Sequence, residues 1–205
     1  MNLANKITLS RIFIVPIFMI FVVPFPDWVL ESGYLKFINP QLTSINSFII
    51  NYGNYIAAAI FVVAASTDGV DGYIARKRKQ VTRFGKFLDP IADKLLVTAA
   101  LIALVQRSEL SGWAAMIIIS RELIVTGLRL VAAGEGIVIS ASAWGKIKTI
   151  TQMVAIVAAL IKNFPFSLFT TFQFDRYVML IAVLVTIYSG YDYIAKNIKV
   201  IDYKN

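Results

Sequence analysis

Four of the twelve acidic residues, Asp68, Asp71, Asp89 and Asp93, crowd into one stretch where two apolar segments end, and their spacing is helical. On a helix, Asp68, Asp71, Gly72 and Ala75 fall at i, i+3, i+4 and i+7, a narrow stripe that joins two carboxylates to a patch of bare backbone. Gly85, Asp89 and Asp93 repeat the device at i, i+4 and i+8. The short connection between them favours antiparallel packing, which is expected to bring the four carboxylates together. Carboxylates gathered in a low-dielectric setting repel one another, so either some are protonated or a multivalent cation sits among them. A cation is the better solution. The chain has neither cysteine nor histidine, which removes thiolate nucleophiles, the usual zinc sites, His-based triads and haem ligation through those residues. Oxygen ligands alone select hard cations, so one or two Mg²⁺ or Mn²⁺ ions are expected. Gly72 and Gly85 clear side chains where a bulky ligand approaches, and Arg76 offers a planar fork to phosphate oxygens. A plainer account, in which the aspartates only pair with neighbouring lysines and arginines, leaves the glycines on the same stripes unexplained.

A second set of chemistry-bearing residues is cationic. Arg121 and Arg129 lie eight apart inside an apolar segment, so one helix face can carry both, and cations in the interior of a membrane span default to function. Lys146 and Lys148 enter the next apolar segment from the same side. A dianionic phosphate is the natural partner of such a cluster. In the alternative, Arg121 pairs with Glu122 or Asp192 and the lysines snorkel to the surface.

The elements that must position these groups are helices in a bilayer. Hydrophobic residues make up 58% of the chain, above the ~45–50% of soluble domains. Six apolar segments, 7–25, 48–65, 87–105, 113–131, 144–161 and 177–193, each approach the ~17–25 residues that cross a hydrocarbon core. The expected fold is all-α, a polytopic membrane protein of six transmembrane helices forming one domain over 1–205. The first segment ends in Pro24, Phe25, Pro26, Asp27 and Trp28 with no small-residue cleavage pattern, so it is expected to be retained rather than removed as a signal peptide. The net charge of +8 is concentrated in the 76–86 loop and near both ends, which places those parts in the cytoplasm. Lys77, Arg78 and Lys79 fit attraction to anionic membrane lipids, and no soluble fold accompanies them that would point to nucleic acid. The expected location is the cytoplasmic membrane, multi-pass, with the active site on the cytoplasmic side.

The run Asp68-Gly69-Val70-Asp71-Gly72-Tyr73-Ile74-Ala75-Arg76, then eight residues, then Gly85-Lys86-Phe87-Leu88-Asp89-Pro90-Ile91-Ala92-Asp93, resembles the signature of the CDP-alcohol phosphatidyltransferases, D-x2-D-G-x2-A-R-x8-G-x3-D-x3-D, at every fixed position. The six-span layout and an amphipathic cytosolic N-terminal segment, here 2–11, also resemble that family. The resemblance implies a two-metal site in which Asp68, Asp71 and Asp89 ligate the ions and Asp93 ligates or serves as base on the acceptor hydroxyl. It implies that Gly72, Ala75, Arg76 and Gly85 line the cytidine diphosphate pocket of a CDP-diacylglycerol donor, and it implies a homodimer; separately, Asn5, Thr8 and Arg11 are polar positions near the first helix within reach of the cytidine or headgroup. Ala57, Ala58, Ala59, Ala64 and Ala65 would permit the close helix contact. Within the family, Ser120-Arg121-Glu122-Leu123-Ile124-Val125-Thr126-Gly127-Leu128-Arg129 and Gly145-Lys146-Ile147-Lys148-Thr149-Ile150-Thr151-Gln152 resemble the branch that makes phosphatidylglycerophosphate, whose acceptor is sn-glycerol 3-phosphate.

Other acceptors, such as inositol phosphate or serine, would need only a different pocket beside the same metals. An intramembrane prenyltransferase also binds a lipid diphosphate through aspartates and Mg²⁺, but its motifs lie in two separated regions, whereas here they are adjacent. A divalent-cation transporter would carry acidic residues through both leaflets, and the outer halves of these segments are almost uncharged.

Overall fold

The computed structural model describes residues 3–30, 39–77, 83–134, 136–137, 139–140, 142–165 and 168–201, excluding the side chains of 3–8, 39, 67–77, 83–90, 93 and 198–201. All regular structure among these residues is helical. In chain order the helices are α1 (Leu3–Val22), α2 (Asp27–Leu30), α3 (Asn39–Phe48), α4 (Asn54–Lys77), α5 (Arg83–Gln106), α6 (Gly112–Gly134), α7 (Ala143–Leu160) and α8 (Phe174–Ile201), with a π-helical turn, Ile49–Gly53, joining α3 to α4. Each of the six apolar segments finds its counterpart in one of the long helices α1 and α4 to α8. By length and composition, Pro40–Ser66 and Phe174–Asn197 can each cross a membrane, and Leu9–Val22 and Lys94–Gln106 are shorter apolar helices.

The helices gather into two compact units, Met1–Arg107 and Ser108–Asn205. In the first, α1 packs against both α4 and α5. Gly53, Ala57, Phe61 and Ala64 form the buried stripe of the 49–66 run, with Phe61 set 6.4 Å from Phe18 of α1. Gly53 is there because nothing larger fits: a Cβ at this position would sit 2.0 Å from the Phe21 carbonyl oxygen. Ala57, Ala58 and Ala64 are thus occupied inside the unit, which leaves only Ala59 and Ala65 of the five alanines on its outside. The open end of α1 is closed by Arg107, whose Nη1 donates to the Val22 carbonyl at 3.1 Å, satisfying a carbonyl that helix geometry leaves without an internal partner.

One stretch departs from expectation. Residues 39–47 fall between the six apolar segments, yet with Phe48 they form α3, with Leu42, Ile45 and Phe48 at three-residue steps. Pro40 suits a first helical turn, and Asn46 fastens the helix to the preceding segment by accepting the Phe25 amide at 2.7 Å.

In the second unit α8 packs against both α6 and α7. Its buried positions, Met179, Ala182, Val183, Thr186, Ser189, Gly190 and Tyr193, recur at three- and four-residue steps, as a single packing face requires. The α6–α7 turn is set locally. Ile137 N–H reaches the Ala132 carbonyl and Gly136 N–H the Ala133 carbonyl, with Gly136 in the left-handed region at φ 75°, so the helix stops in a Schellman turn. Ser142 then caps α7, its Oγ accepting the Gly145 amide at 3.0 Å.

The unit buries a few polar side chains within a largely apolar interior and exposes large apolar ones on its outside. Lys148 and Gln152 are each 3% exposed, while Leu123, Leu130 and Leu184 are 61%, 72% and 57% exposed. Water as the surrounding solvent would favour the reverse, and lipid favours this arrangement.

Candidate active site

Asp68, Asp71, Gly72, Ala75 and Arg76 lie on the last turns of α4, and Gly85, Asp89 and Asp93 on the first turns of α5. The helical backbone runs without a break through both groups, so the stripes drawn from the spacing survive as faces of real helices. The side chains of these eight residues, and those of Asn5 and Thr8 at the start of α1, lie outside the described residues. Lys94, one position beyond Asp93, is half-buried and engaged in an interaction. Arg11, on the same helix as Asn5 and Thr8, is buried with 4% of its surface exposed and is likewise engaged.

The cationic set of the second unit is fully visible at its centre. Arg121 extends from α6 with Nη2 donating to Ser189 Oγ of α8 at 2.7 Å and Nη1 3.4 Å from Glu122 Oε1. Gly190 leaves room for this side chain, and Gly145 lies beside it at ordinary contact range. A Cβ on Gly190 would stand 3.2 Å from Arg121 Cγ, and one on Gly145 would stand 3.9 Å from Nη2. Lys148 of α7 forms an ion pair with the same Glu122 carboxylate. Arg129 donates from Nε to Tyr193 Oη at 3.2 Å, with its guanidinium carbon 5.4 Å from the centre of the Tyr193 ring. Beside them Lys196 and Asp192 pair at 2.7 Å.

Lys146 and Lys148 both enter at the start of α7, but on different faces. Residues two apart on a helix do not share a face. Lys148 turns inward to Glu122, whereas Lys146 is exposed. Three cations less one carboxylate leave the set of Arg121, Arg129, Lys148 and Glu122 with two positive charges, the complement of a dianionic phosphate. Arg121 Nε, Gln152 Oε1 and Asp192 Oδ2 are buried with no hydrogen-bonding partner among the described residues, the mark of a polar site that awaits water or ligand. A pocket of about 420 Å³ opens next to Tyr193, between the α6–α7 loop and the end of α8, and Ser140, Ser142, Lys196 and Asn197 also line it. That volume falls in the ~300–1,000 Å³ range of small-molecule sites.

Comparison with known proteins gives this geometry a context. The profile described as CDP-alcohol phosphatidyltransferase matches residues 1–188. The chain belongs to that family. Its relatives include a CDP-diacylglycerol–glycerol-3-phosphate 3-phosphatidyltransferase of Bacillus subtilis (strain 168), 48% identical over 196 residues that cover 96% of this chain and 95% of the other. A protein of the same description from Haemophilus influenzae (strain ATCC 51907 / DSM 11121 / KW20 / Rd) is 49% identical over 107 residues, 50% of this chain and 57% of that one. Another, from Rickettsia bellii (strain RML369-C), is 33% identical over 192 residues, covering 94% and 93%. In this CDP-alcohol phosphatidyltransferase the signature occupies the end of α4 and the start of α5, and the cationic cluster belongs to α6, α7 and α8. Sequence reasoning found Arg121 and Arg129 but passed over Ser189 and Tyr193, which hold them, and Gly190, which gives Arg121 its space. The available signal was a run of small and polar residues, Ser189, Gly190 and Asp192, in an otherwise apolar segment.

Proposed function

We propose that this CDP-alcohol phosphatidyltransferase transfers the phosphatidyl group of CDP-diacylglycerol to sn-glycerol 3-phosphate, releasing CMP and forming phosphatidylglycerophosphate. The observation that carries this is the 48% identity, over nearly the full length of both chains, to a relative whose name states that donor and that acceptor.

The donor set fits a hard divalent cation, since Asp68, Asp71, Asp89 and Asp93 stand on continuous helices and the chain offers no nitrogen or sulfur ligand of the usual kinds. Asp68, Asp71 and Asp89, joined by Asp93, would hold two Mg²⁺ or Mn²⁺ ions, which when bound neutralise the diphosphate and make CMP a better leaving group. Gly72, Ala75, Arg76 and Gly85 bind the cytidine diphosphate moiety, and Asn5 and Thr8 approach the cytidine or headgroup. Asp93 receives the proton of the acceptor hydroxyl. The hydroxyl oxygen forms its bond to the β-phosphorus as the bond from that phosphorus to the CMP oxygen breaks. Arg121 and Arg129 bind the acceptor's own phosphate, Lys148 sets the local charge through Glu122, and Lys146 contributes from the exposed face of α7. Supporting this assignment are the residual double positive charge of the cluster and its unpartnered buried donor, Arg121 Nε.

The six long helices act as six spans of a multi-pass protein in the cytoplasmic membrane. The termini and the 76–86 loop lie in the cytoplasm, where the water-soluble acceptor arrives. The chain works as one catalytic domain over 1–205, in keeping with a family match that runs through both units. A homodimer is the proposed assembly.

An acceptor screen tests the assignment. With purified protein, CDP-diacylglycerol and divalent metal, sn-glycerol 3-phosphate should yield phosphatidylglycerophosphate, while serine and inositol phosphate should not react. Turnover with another alcohol alone would overturn the acceptor and leave the family intact.

A further inference from the structure

Arg121 and Arg129 are eight residues apart on α6, which separates their Cα atoms by ~12 Å along the helix. Their partners on α8, Ser189 and Tyr193, are four residues apart, or ~6 Å. The two side chains are therefore drawn toward each other as they leave α6, each leaning to an anchor on the facing helix. Bringing two guanidinium groups together costs electrostatic energy unless an anion is to lie between them. The anchors are well built for the purpose. Ser189 is fully buried and Tyr193 is 2% exposed, so neither wanders. Gly190 leaves the space through which Arg121 passes, since a Cβ there would come within 3.2 Å of its Cγ. The Ser189 bond uses only Nη2, and the buried Nε of Arg121 has no partner among the described residues, which leaves a donor for a ligand oxygen.

We infer that Ser189 and Tyr193 are positioning residues of the acceptor site, a pair on α8 that sets the separation of Arg121 and Arg129 to match one dianionic phosphate monoester. This rests on the proposed role of the two arginines in binding the acceptor phosphate. The signature on α4 and α5 contains neither residue, so acceptor affinity and donor affinity are governed from different helices.

The test is steady-state kinetics of the purified full chain, varying sn-glycerol 3-phosphate at saturating CDP-diacylglycerol and the reverse, for Ser189→Ala, Ser189→Thr, Tyr193→Phe and Arg121→Ala. Ser189→Ala and Tyr193→Phe should each raise KM for sn-glycerol 3-phosphate about five- to tenfold, the loss expected when a hydrogen bond ordering a charged group disappears. KM for CDP-diacylglycerol and kcat should stay within about twofold, and inhibition by inorganic phosphate should weaken in parallel with the acceptor KM. Ser189→Thr keeps the hydroxyl and should restore the acceptor KM. If Ser189→Ala fails to fold, Tyr193→Phe, which removes one oxygen and keeps the ring, decides alone. An unchanged acceptor KM in the folded variants, alongside a raised one in Arg121→Ala, overturns the positioning role. An unchanged acceptor KM in Arg121→Ala itself overturns the arginine site, and this inference with it.

Discussion

Lys148 is among the most deeply buried charges of the described residues, and Glu122 is what makes its burial tolerable. Its side chain is 4% exposed against 21% for the carboxylate it pairs with. Removing one partner from a buried pair costs ~3–5 kcal/mol, whereas an exposed pair contributes at most ~1 kcal/mol. The Glu122 side chain is one-fifth exposed and Lys148 is engaged beyond this pair, so Glu122→Gln should cost about 2–3 kcal/mol, below the fully buried figure. Lys148→Met should cost less, about 1–2 kcal/mol, because the carboxylate left behind keeps Arg121 Nη1 at 3.4 Å and reaches solvent. The double variant removes both charges together and should lie within about 1 kcal/mol of the parent, giving a coupling energy of at least about 2 kcal/mol. Thermal unfolding of the four proteins in one detergent reads this directly. For a chain of this size, Glu122→Gln should lower Tm by about 4–12 °C, with most of the loss recovered in the double variant. Additive single effects, with coupling under about 0.5 kcal/mol, would refute the pairing and with it the charge balance assigned to the acceptor site.

Three further outcomes are expected. Arg121→Lys keeps the charge but not the fork that reaches Ser189 and Glu122 from two nitrogens, so KM for sn-glycerol 3-phosphate should rise about tenfold or more; a value near the parent's would mean that charge alone suffices there. Asp93→Asn should abolish turnover while CDP-diacylglycerol binding, measured by equilibrium titration, persists; lost nucleotide affinity would make Asp93 chiefly a metal ligand. Gly53→Ala would put a methyl group 2.0 Å from the Phe21 carbonyl oxygen and should destabilise the chain by about 1–3 kcal/mol, so an unchanged melting temperature would argue against the close approach of the π-helical turn to α1.

The six long helices were legible because apolar blocks of spanning length leave few other folds open, and the aspartate stripes because helical periodicity is local. α3 was not legible. Its apolar residues, Leu42, Ile45 and Phe48, are too few among polar ones to mark a span, and Asn46 fastens it to a backbone amide 21 positions away. The alanines of α4 looked available for a dimer contact because composition cannot say which helix a small residue touches; Ala57, Ala58 and Ala64 turned out to serve the packing of their own unit. Arg121 and Arg129 stood out as charges among apolar residues. Their anchors did not, since the bonds span 68 and 64 positions and serine and tyrosine carry no charge to mark them. The different fates of Lys146 and Lys148 follow from helix geometry alone and were open to inspection before the structure.

The central claim is that four aspartates sustain a metal-dependent transfer from a CDP-lipid to sn-glycerol 3-phosphate. Its most direct test is CMP release measured against phosphatidylglycerophosphate formed by purified protein, before chelation, after exhaustive chelation and after metal is restored. One CMP per phosphatidylglycerophosphate, lost on chelation and regained with Mg²⁺ or Mn²⁺, is the predicted result. Full activity in the thoroughly chelated protein would contradict it.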